Sequence, residues 1–243
     1  MSSEPALAAD NLNAWYGAAQ VLYDVSFRVG RGEVVALMGR NGAGKSTTMK
    51  TVMGLMARRN GSVRVNGHDA SRLRPFELAR LGVGFVPEDR RIFSDLTVEE
   101  NLDTGRQPPR RFADGSEAPA WTPEALFALF PNLSELRTRP GARMSGGEQQ
   151  MLTIARTLMG NPLIVLLDEP SEGIAPVIVE AIADTIIALK KRGLSIVLSE
   201  QNVGFAELVC DRAYMLEKGR ICWQGTMAEL AANTDIQRAY LTL

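Results

Sequence analysis

Apolar and polar residues alternate from about Leu7 to Val29, with Gly17 and Gly30 as punctuation, and this period of two predicts antiparallel strands. Glu33–Met38 is a short apolar run entering a glycine-rich stretch, which predicts a buried strand. The period then changes. Met49, Val52, Met53 and Met56 fall on one face of a helix over Lys45–Met56. Ser62–Asn66 and Val83–Pro87 predict further strands. Thr97 with Glu100 three residues on predicts a capped helix start. Arg106–Thr122, rich in Pro, Arg, Gly and Ala, predicts an exposed loop, and Pro123–Phe130 a short amphipathic helix. Strands over Leu163–Leu167 and Ser195–Ser199 flank a helix over Val177–Lys191. Arg212–Glu217 and Arg220–Gln224 around Lys218-Gly219 predict a hairpin, with two short helices after it. The pattern implies an α/β chain with an antiparallel β part near its start and a mostly helical insertion.

A length of 243 residues suits one large domain or a core with a modest subdomain. Lys and Arg total 27 against 28 Asp and Glu, so a net charge of −1 gives no general attraction for nucleic acid or anionic lipid. Any membrane role must therefore come through a protein partner. The start, Met1 to Asp10, lacks the basic and apolar regions of a signal peptide, and no apolar run approaches the roughly 20 residues that span a bilayer. Cys210 and Cys222 lie in no metal-binding spacing, which predicts reduced, structural thiols and a cytoplasmic location. His68, the one histidine, falls in the turn-like Asn66-Gly67-His68-Asp69 and is expected on the solvated surface.

Three segments carry chemistry. Gly39-Arg40-Asn41-Gly42-Ala43-Gly44-Lys45-Ser46-Thr47 follows a predicted strand and opens a predicted helix, the context in which such a loop cradles phosphates. Bare backbone amides approach the phosphates, Lys45 neutralises them, and Ser46 is expected to ligate Mg²⁺. Leu166-Leu167-Asp168-Glu169-Pro170 ends an apolar strand in two carboxylates; Asp168 suits a Mg²⁺ contact and Glu169 can deprotonate an attacking water. Met144-Ser145-Gly146-Gly147-Glu148-Gln149-Gln150 precedes the helical run Met151–Met159. It reads either as an ordinary N-cap or as a second phosphate grip made of Ser145 and the amides of Gly146 and Gly147. Two grips and one loop suggest a nucleotide held between two copies. The stripe Met151, Leu152, Ile154, Leu158, Met159 reads as core packing, and Arg90, Arg91, Arg110 and Arg111 as solvated loop charges, with Arg90 and Arg91 also placed to meet a partner.

The order of these three segments resembles the nucleotide-binding subunit of ABC transporters over essentially the whole chain. Val86-Pro87-Glu88, Phe93, Leu96-Thr97-Val98-Glu99-Glu100-Asn101-Leu102, Pro176 after Ala175 and Glu200-Gln201-Asn202 are similar to the ATPase subunits of branched-chain (hydrophobic) amino-acid importers, the LivF type, with the relatives serving urea or short-chain amides left open. The resemblance implies a P-loop NTPase of the ABC ATPase fold: a RecA-like core with an antiparallel β subdomain (1–87 and 160–243) and an inserted helical subdomain (88–159) carrying the signature segment. It also implies ATP and Mg²⁺ as ligands, and a homodimer or a heterodimer with a sister ATPase. Integral membrane permease subunits would dock on the cytoplasmic face of the inner membrane, with a periplasmic substrate-binding protein as indirect partner and no nucleic acid.

By the same resemblance Tyr16 stacks on adenine, the 39–47 loop and Ser145–Glu148 bind nucleotide, Ser46, Asp168 and Glu88 hold the metal, and Glu169, Lys45 and Gln201 act in catalysis. Tyr16 also reads as a strand aromatic of the core. Glu88, Ala175 and Gln201 depart from the superfamily's common Gln, Asp and His. Gln201 donates an amide hydrogen bond but brings no charge and carries no proton. A non-transport ABC protein would carry tandem domains or long coiled coils, and a GTPase an Asn-Lys-x-Asp base reader; the sequence has neither.

Overall fold

Two sheets organise the chain, and the strand ends of one of them create the site. The computed structural model describes residues 4–240. Residues 1–3 and 241–243, the ends of the single domain expected over 1–243, lie outside the described residues. The alternating start forms β1 (Leu7–Tyr16) and β2 (Ala19–Val29), antiparallel across a turn at Gly17-Ala18. With β4 (Arg58–Val65) and β5 (His68–Asp69) they make a four-stranded sheet in the order β2-β1-β4-β5. β4 begins four residues before the predicted Ser62. Its polar first half shows no alternation but pairs with the outer half of β1, where the Arg58 guanidinium lies 4.7 Å over the Trp15 ring. His68 is exposed as expected, on a short strand rather than in the turn itself.

The second sheet runs β10-β9-β3-β8-β7-β6. Its strands are β3 (Val34–Met38), β6 (Val83–Val86), β7 (Ile164–Asp168), β8 (Ser195–Glu200), β9 (Arg212–Glu217) and β10 (Arg220–Thr226). All pairings are parallel except the β9–β10 hairpin. Period-two burial sends Val34, Ala36, Met38, Val165, Leu167, Ile196 and Leu198 into one core, and Val35, Leu37, Ile164, Leu166 and Val197 into the other. The register aligns Met38 with Glu200 and Asp168 with Ser199, so the carboxyl ends of β3, β7 and β8 stand side by side. Ligands of open α/β sheets bind at such an edge.

Helix α1 (Lys45–Val52) stops short of the predicted Met56. Gly54 takes a left-handed φ of 69°, its N–H donates to Thr51 O at 3.1 Å, and Leu55 N–H donates to Lys50 O at 2.8 Å. That is a Schellman termination, after which Met56 is still buried. Helix α2 (Pro75–Leu81) was not anticipated, although Pro75 opens it and Gly82 closes it. Helices α3 (Val98–Thr104), α4 (Pro123–Leu129), α5 (Pro131–Glu135) and α6 (Gly146–Leu158) occupy the segment expected to be a helical insertion, and α3 has the capping box read from Thr97 and Glu100. Helices α7 (Pro176–Lys191), α8 (Val203–Val209), α9 (Met227–Ala232) and α10 (Thr234–Tyr240) complete the chain.

The Arg106–Thr122 segment corrects an expectation. It carries no helix, but Phe112, Ala118 and Trp121 are buried. The Arg110 guanidinium donates to the carbonyls of Asn161, Ala79 and Gly160 at 2.9, 3.0 and 3.2 Å, so Arg110 is not a solvated loop charge. Asn161 completes the anchorage: its amide donates to Gln107 O, and its carbonyl oxygen accepts from Trp121 N, each at 2.6 Å. Arg111 remains exposed, paired with Glu117 at 3.1 Å.

Candidate nucleotide site

The loop after β3 turns tightly because two of its glycines adopt conformations closed to other residues. Gly39 has φ 147°, and a side chain there would collide with the Leu216 carbonyl. Gly44 has φ 110° and would press on Leu22. The chain then enters α1 with Lys45 at its first position. The Lys45 side chain, 3% exposed, curls back to donate to Gly39 O at 2.8 Å and Arg40 O at 3.3 Å. Its ammonium also meets Glu169 Oε1 at 3.0 Å.

Asp168 ends β7 and is buried. Its Oδ1 accepts from the Ser46 hydroxyl at 2.8 Å and the Ser199 hydroxyl at 2.6 Å. Glu169 follows with φ 46°, a left-handed conformation uncommon for a non-glycine residue and concentrated at functional sites. Ser199 holds it there, because the Glu169 N–H reaches Ser199 O at 3.2 Å and Ser199 Oγ at 3.1 Å. Burial works against the Glu169 carboxylate, but the hydrogen bond with Glu172 and the bond and charge of Lys45 outweigh it and hold its pKa below the ordinary value.

Of these groups Lys45, Ser46 and Glu169 line a cleft of about 430 Å³, while the buried Asp168 and Ser199 are not on its wall. Asn41, Gly42, Gly44, Lys45, Ser46 and Thr47 form one wall, and Tyr16, Val21, Glu88, Glu169 and Glu172 the rest. Tyr16, at the end of β1, is 53% exposed, so the alternative of a core aromatic fails. Gly39, Arg40 and Ala43 shape the loop behind this wall. Ser46 Oγ and Asp168 Oδ1 are hard oxygen donors, and among the described residues no cluster of three or more His, Cys, Asp or Glu could hold a metal alone. That donor set fits a Mg²⁺ ion shared with phosphate oxygens and water.

Other predicted residues lie elsewhere. Ser145, Gly146, Gly147 and Glu148 are absent from the cleft wall. They start α6, where the Ser145 hydroxyl accepts from Glu148 N at 3.4 Å and the Glu148 carboxylate accepts from Ser145 N at 2.6 Å. Gln201 is exposed just beyond β8; its N–H donates to Glu200 Oε2 at 3.1 Å, and its side chain makes no hydrogen bond among the described residues. Ala175 precedes α7 at the cap position, with no side chain to cap it.

Sequence reasoning missed Ser199 and Glu172. Ser199 was read only as a strand end, and its role follows from the β7–β8 register. Glu172 could have been found from Pro170-Ser171-Glu172-Gly173, a turn that returns a carboxyl toward Glu169. A second groove of about 510 Å³ lies between α2, β6 and the helical segment, with exposed Phe76 and Phe93 beside Arg80 and Arg156. No described helix is long and apolar enough to cross a membrane.

A family model described as ABC transporter matches residues 22–172. The chain is 43% identical to the high-affinity branched-chain amino acid transport ATP-binding protein BraG of Pseudomonas aeruginosa, over 97% of this chain and 99% of that protein. It is 37% identical to the lipopolysaccharide export system ATP-binding protein LptB of Haemophilus influenzae, over 97% of this chain and 96% of that one. A solved ATP binding subunit of an ABC transporter aligns with a TM-score of 0.77 at 30% identity, covering 97% of this chain and 95% of that chain. The folded cleft and these likenesses agree: the chain belongs to the ABC transporter family, as an ATP-binding and ATP-hydrolysing subunit.

Proposed function

We propose that this subunit powers an importer of branched-chain or related amino acids. The observation that carries the ATPase chemistry is the convergence of Lys45, Ser46, Asp168 and Glu169 through contacts of 3.0 and 2.8 Å. The amino-acid assignment rests on the 43% identity to BraG. The 37% identity to LptB favours a second reading, a transporter of another substrate, and urea or short-chain amides belong with it.

In this reading Tyr16 stacks on the adenine, and the amides of the 39–47 loop, at the α1 N-terminus, receive the phosphates. Lys45 turns from Glu169 to the phosphate oxygens. Ser46 and Asp168, with Glu88, would hold Mg²⁺, which would supply positive charge against the phosphates. Freed of Lys45, Glu169 takes the proton of the attacking water. Gln201 donates its amide to the γ-phosphate. Ser145–Glu148 of a second copy, or of a sister subunit, closes over the nucleotide from the other side. The chain works on the inner face of the cell membrane through permease subunits, which dock at the Glu88 region and the helical segment; a periplasmic binding protein delivers the substrate to them.

Removing this subunit from its cell and measuring uptake of labelled leucine and urea tests the assignment. Loss of leucine uptake, restored by the wild-type chain and not by Lys45→Ala, supports it. Intact leucine uptake with lost urea uptake selects the second reading.

A further inference from the structure

Glu200 ends β8 in step with Ile196 and Leu198, which are buried in the core, so the period of two calls for an apolar side chain there. The chain places a carboxylate instead, and it is 2% exposed. Burying a charge is unfavourable unless hydrogen bonds satisfy it. Among the described residues four donors do so. Oε1 accepts from the Ser171 hydroxyl and from the Ser171 N–H, the latter at 3.3 Å. Oε2 accepts from the N–H groups of Gln201 at 3.1 Å and Asn202 at 3.2 Å. Well-packed apolar residues stabilise a core as well as a buried charge does, so packing alone does not call for this glutamate.

Its two oxygens face two different loops. One leaves β7 through Glu169, Pro170 and Ser171, and the other leaves β8 and carries Gln201. Glu169, with φ 46°, keeps that conformation only where its surroundings impose it. Ser199 holds the chain at Glu169 itself, through bonds from the Glu169 N–H to Ser199 O and Oγ. Pro170 has no N–H to be held by. Ser171 is therefore the first residue after Glu169 whose N–H can be tied down, and Glu200 ties it. Consecutive residues of β8 thus grip the chain at Glu169 and just beyond it.

The inference rests on the proposed function, in which Lys45 leaves Glu169 for the triphosphate. Glu169 then loses the ion pair at 3.0 Å, and its backbone becomes what aims it. We propose that Glu200 is a positioning residue for Glu169: its carboxylate clamps Ser171 to the Gln201–Asn202 segment and fixes the turn from which Glu169 reaches the attacking water. Glu200 is absent from the cleft wall, so it acts through that turn and not on the nucleotide.

The test is MgATP hydrolysis by the full-length chain, with kcat and KM measured separately and folding of each variant checked by a thermal melt. Glu200→Leu breaks all four bonds while filling most of the space. Its kcat is expected to fall about thirtyfold with KM within about twofold, because the base is misaimed while the phosphate loop is intact. Glu200→Gln keeps the bridge, since its amide oxygen can accept from Gln201 and Asn202 while its amide donates to Ser171 Oγ. Its kcat is expected within about threefold of wild type. Ser171→Ala removes one bond from the other end and should lower kcat about fivefold. Added to Glu200→Leu it should lower kcat no further, because both changes cut one link. Wild-type kcat in Ser171→Ala would overturn the proposal even if Glu200→Leu fails to fold, and so would wild-type kcat in a folded Glu200→Leu. Equal losses in Glu200→Gln and Glu200→Leu would overturn it too, since the bridge survives in only one of them. Near-normal turnover in Glu169→Gln would instead sink the assignment of the base on which the proposal rests.

Discussion

The two segments proposed to grip phosphate differ in how they are wired. The loop of residues 39–47 is tied into the sheet: Lys45 is held by Gly39, Arg40 and Glu169, and Ser46 by Asp168, which Ser199 holds in turn. The Ser145–Glu148 grip is tied only to itself through a capping box, and Ser145 is exposed. Its hydroxyl spends an acceptor on the helix and keeps its proton to donate outward. The contrast separates a half-site that is assembled within one chain from one that faces away. In the proposed function, a nucleotide bound at the first is covered from its other side by the second segment of another chain.

The strongest way to break this comparison is Glu169→Gln. If hydrolysis depends on the wired half, the rate should fall about a thousandfold, as expected for loss of a general base, while a fluorescent ATP analogue still binds. Near-normal turnover would place the base elsewhere. The substitution keeps the shape and a hydrogen-bond acceptor for Lys45, but it leaves the buried ammonium without its countercharge. Some loss of stability in the nucleotide-free state is therefore expected in a thermal melt.

Changes at Ser145 sharpen the other side. Ser145→Ala removes the cap and should cost about 1 kcal/mol of stability in a denaturant titration. Ser145→Asn preserves the cap and its stability but replaces the outward hydroxyl. Both should lower hydrolysis about tenfold while single-chain ATP binding stays within about twofold. An Asn variant as active as wild type would reduce Ser145 to an ordinary N-cap, the bland alternative that its sequence allows.

The wired half was the more legible of the two in the sequence. The glycine loop and the Asp168-Glu169 strand end are local patterns in which spacing alone carries the chemistry. The period-two and period-3.6 runs likewise gave β1–β3, β7, α7 and the β9–β10 hairpin. Helices α2, α5 and α8, of seven, five and seven residues, escaped because their signals are cap residues such as Pro75, Pro131 and Asn202. Arg110 and Ser199 escaped for another reason. Their roles depend on partners 30 to 51 residues away in the chain, at Asn161, Ala79 and Gly160 for the arginine and at Asp168 and Glu169 for the serine. Only sheet register and loop packing bring those partners near. Composition marks the 106–122 loop as exposed, yet three apolar side chains and one guanidinium anchor it.

That anchorage gives the third prediction. Arg110→Ala strips bonds from at least three backbone carbonyls and should destabilise the chain by about 2 kcal/mol, measured by denaturant unfolding. Arg111→Ala, at an exposed ion pair, should cost under about 1 kcal/mol. Equal effects would return Arg110 to the solvated role read from composition.

The smallest expected effect tests where the wiring ends. Gln201 lies beyond β8, at the same sheet edge as Asp168, but its side chain is exposed and bonds to nothing among the described residues. A group that is not held in place contributes less than one that is, since ordering it on nucleotide binding consumes part of its hydrogen-bond energy. Gln201→Ala should therefore slow kcat only about threefold and leave KM nearly unchanged. Gln201→His would restore a titratable donor and add a pH dependence near about 6.5 that the glutamine enzyme lacks at this position. A loss at Gln201→Ala as large as that at Ser145 would mean that nucleotide binding wires Gln201 into the site after all. An unchanged rate in both variants would set the boundary of the catalytic cleft at Glu169 and leave Gln201 outside it.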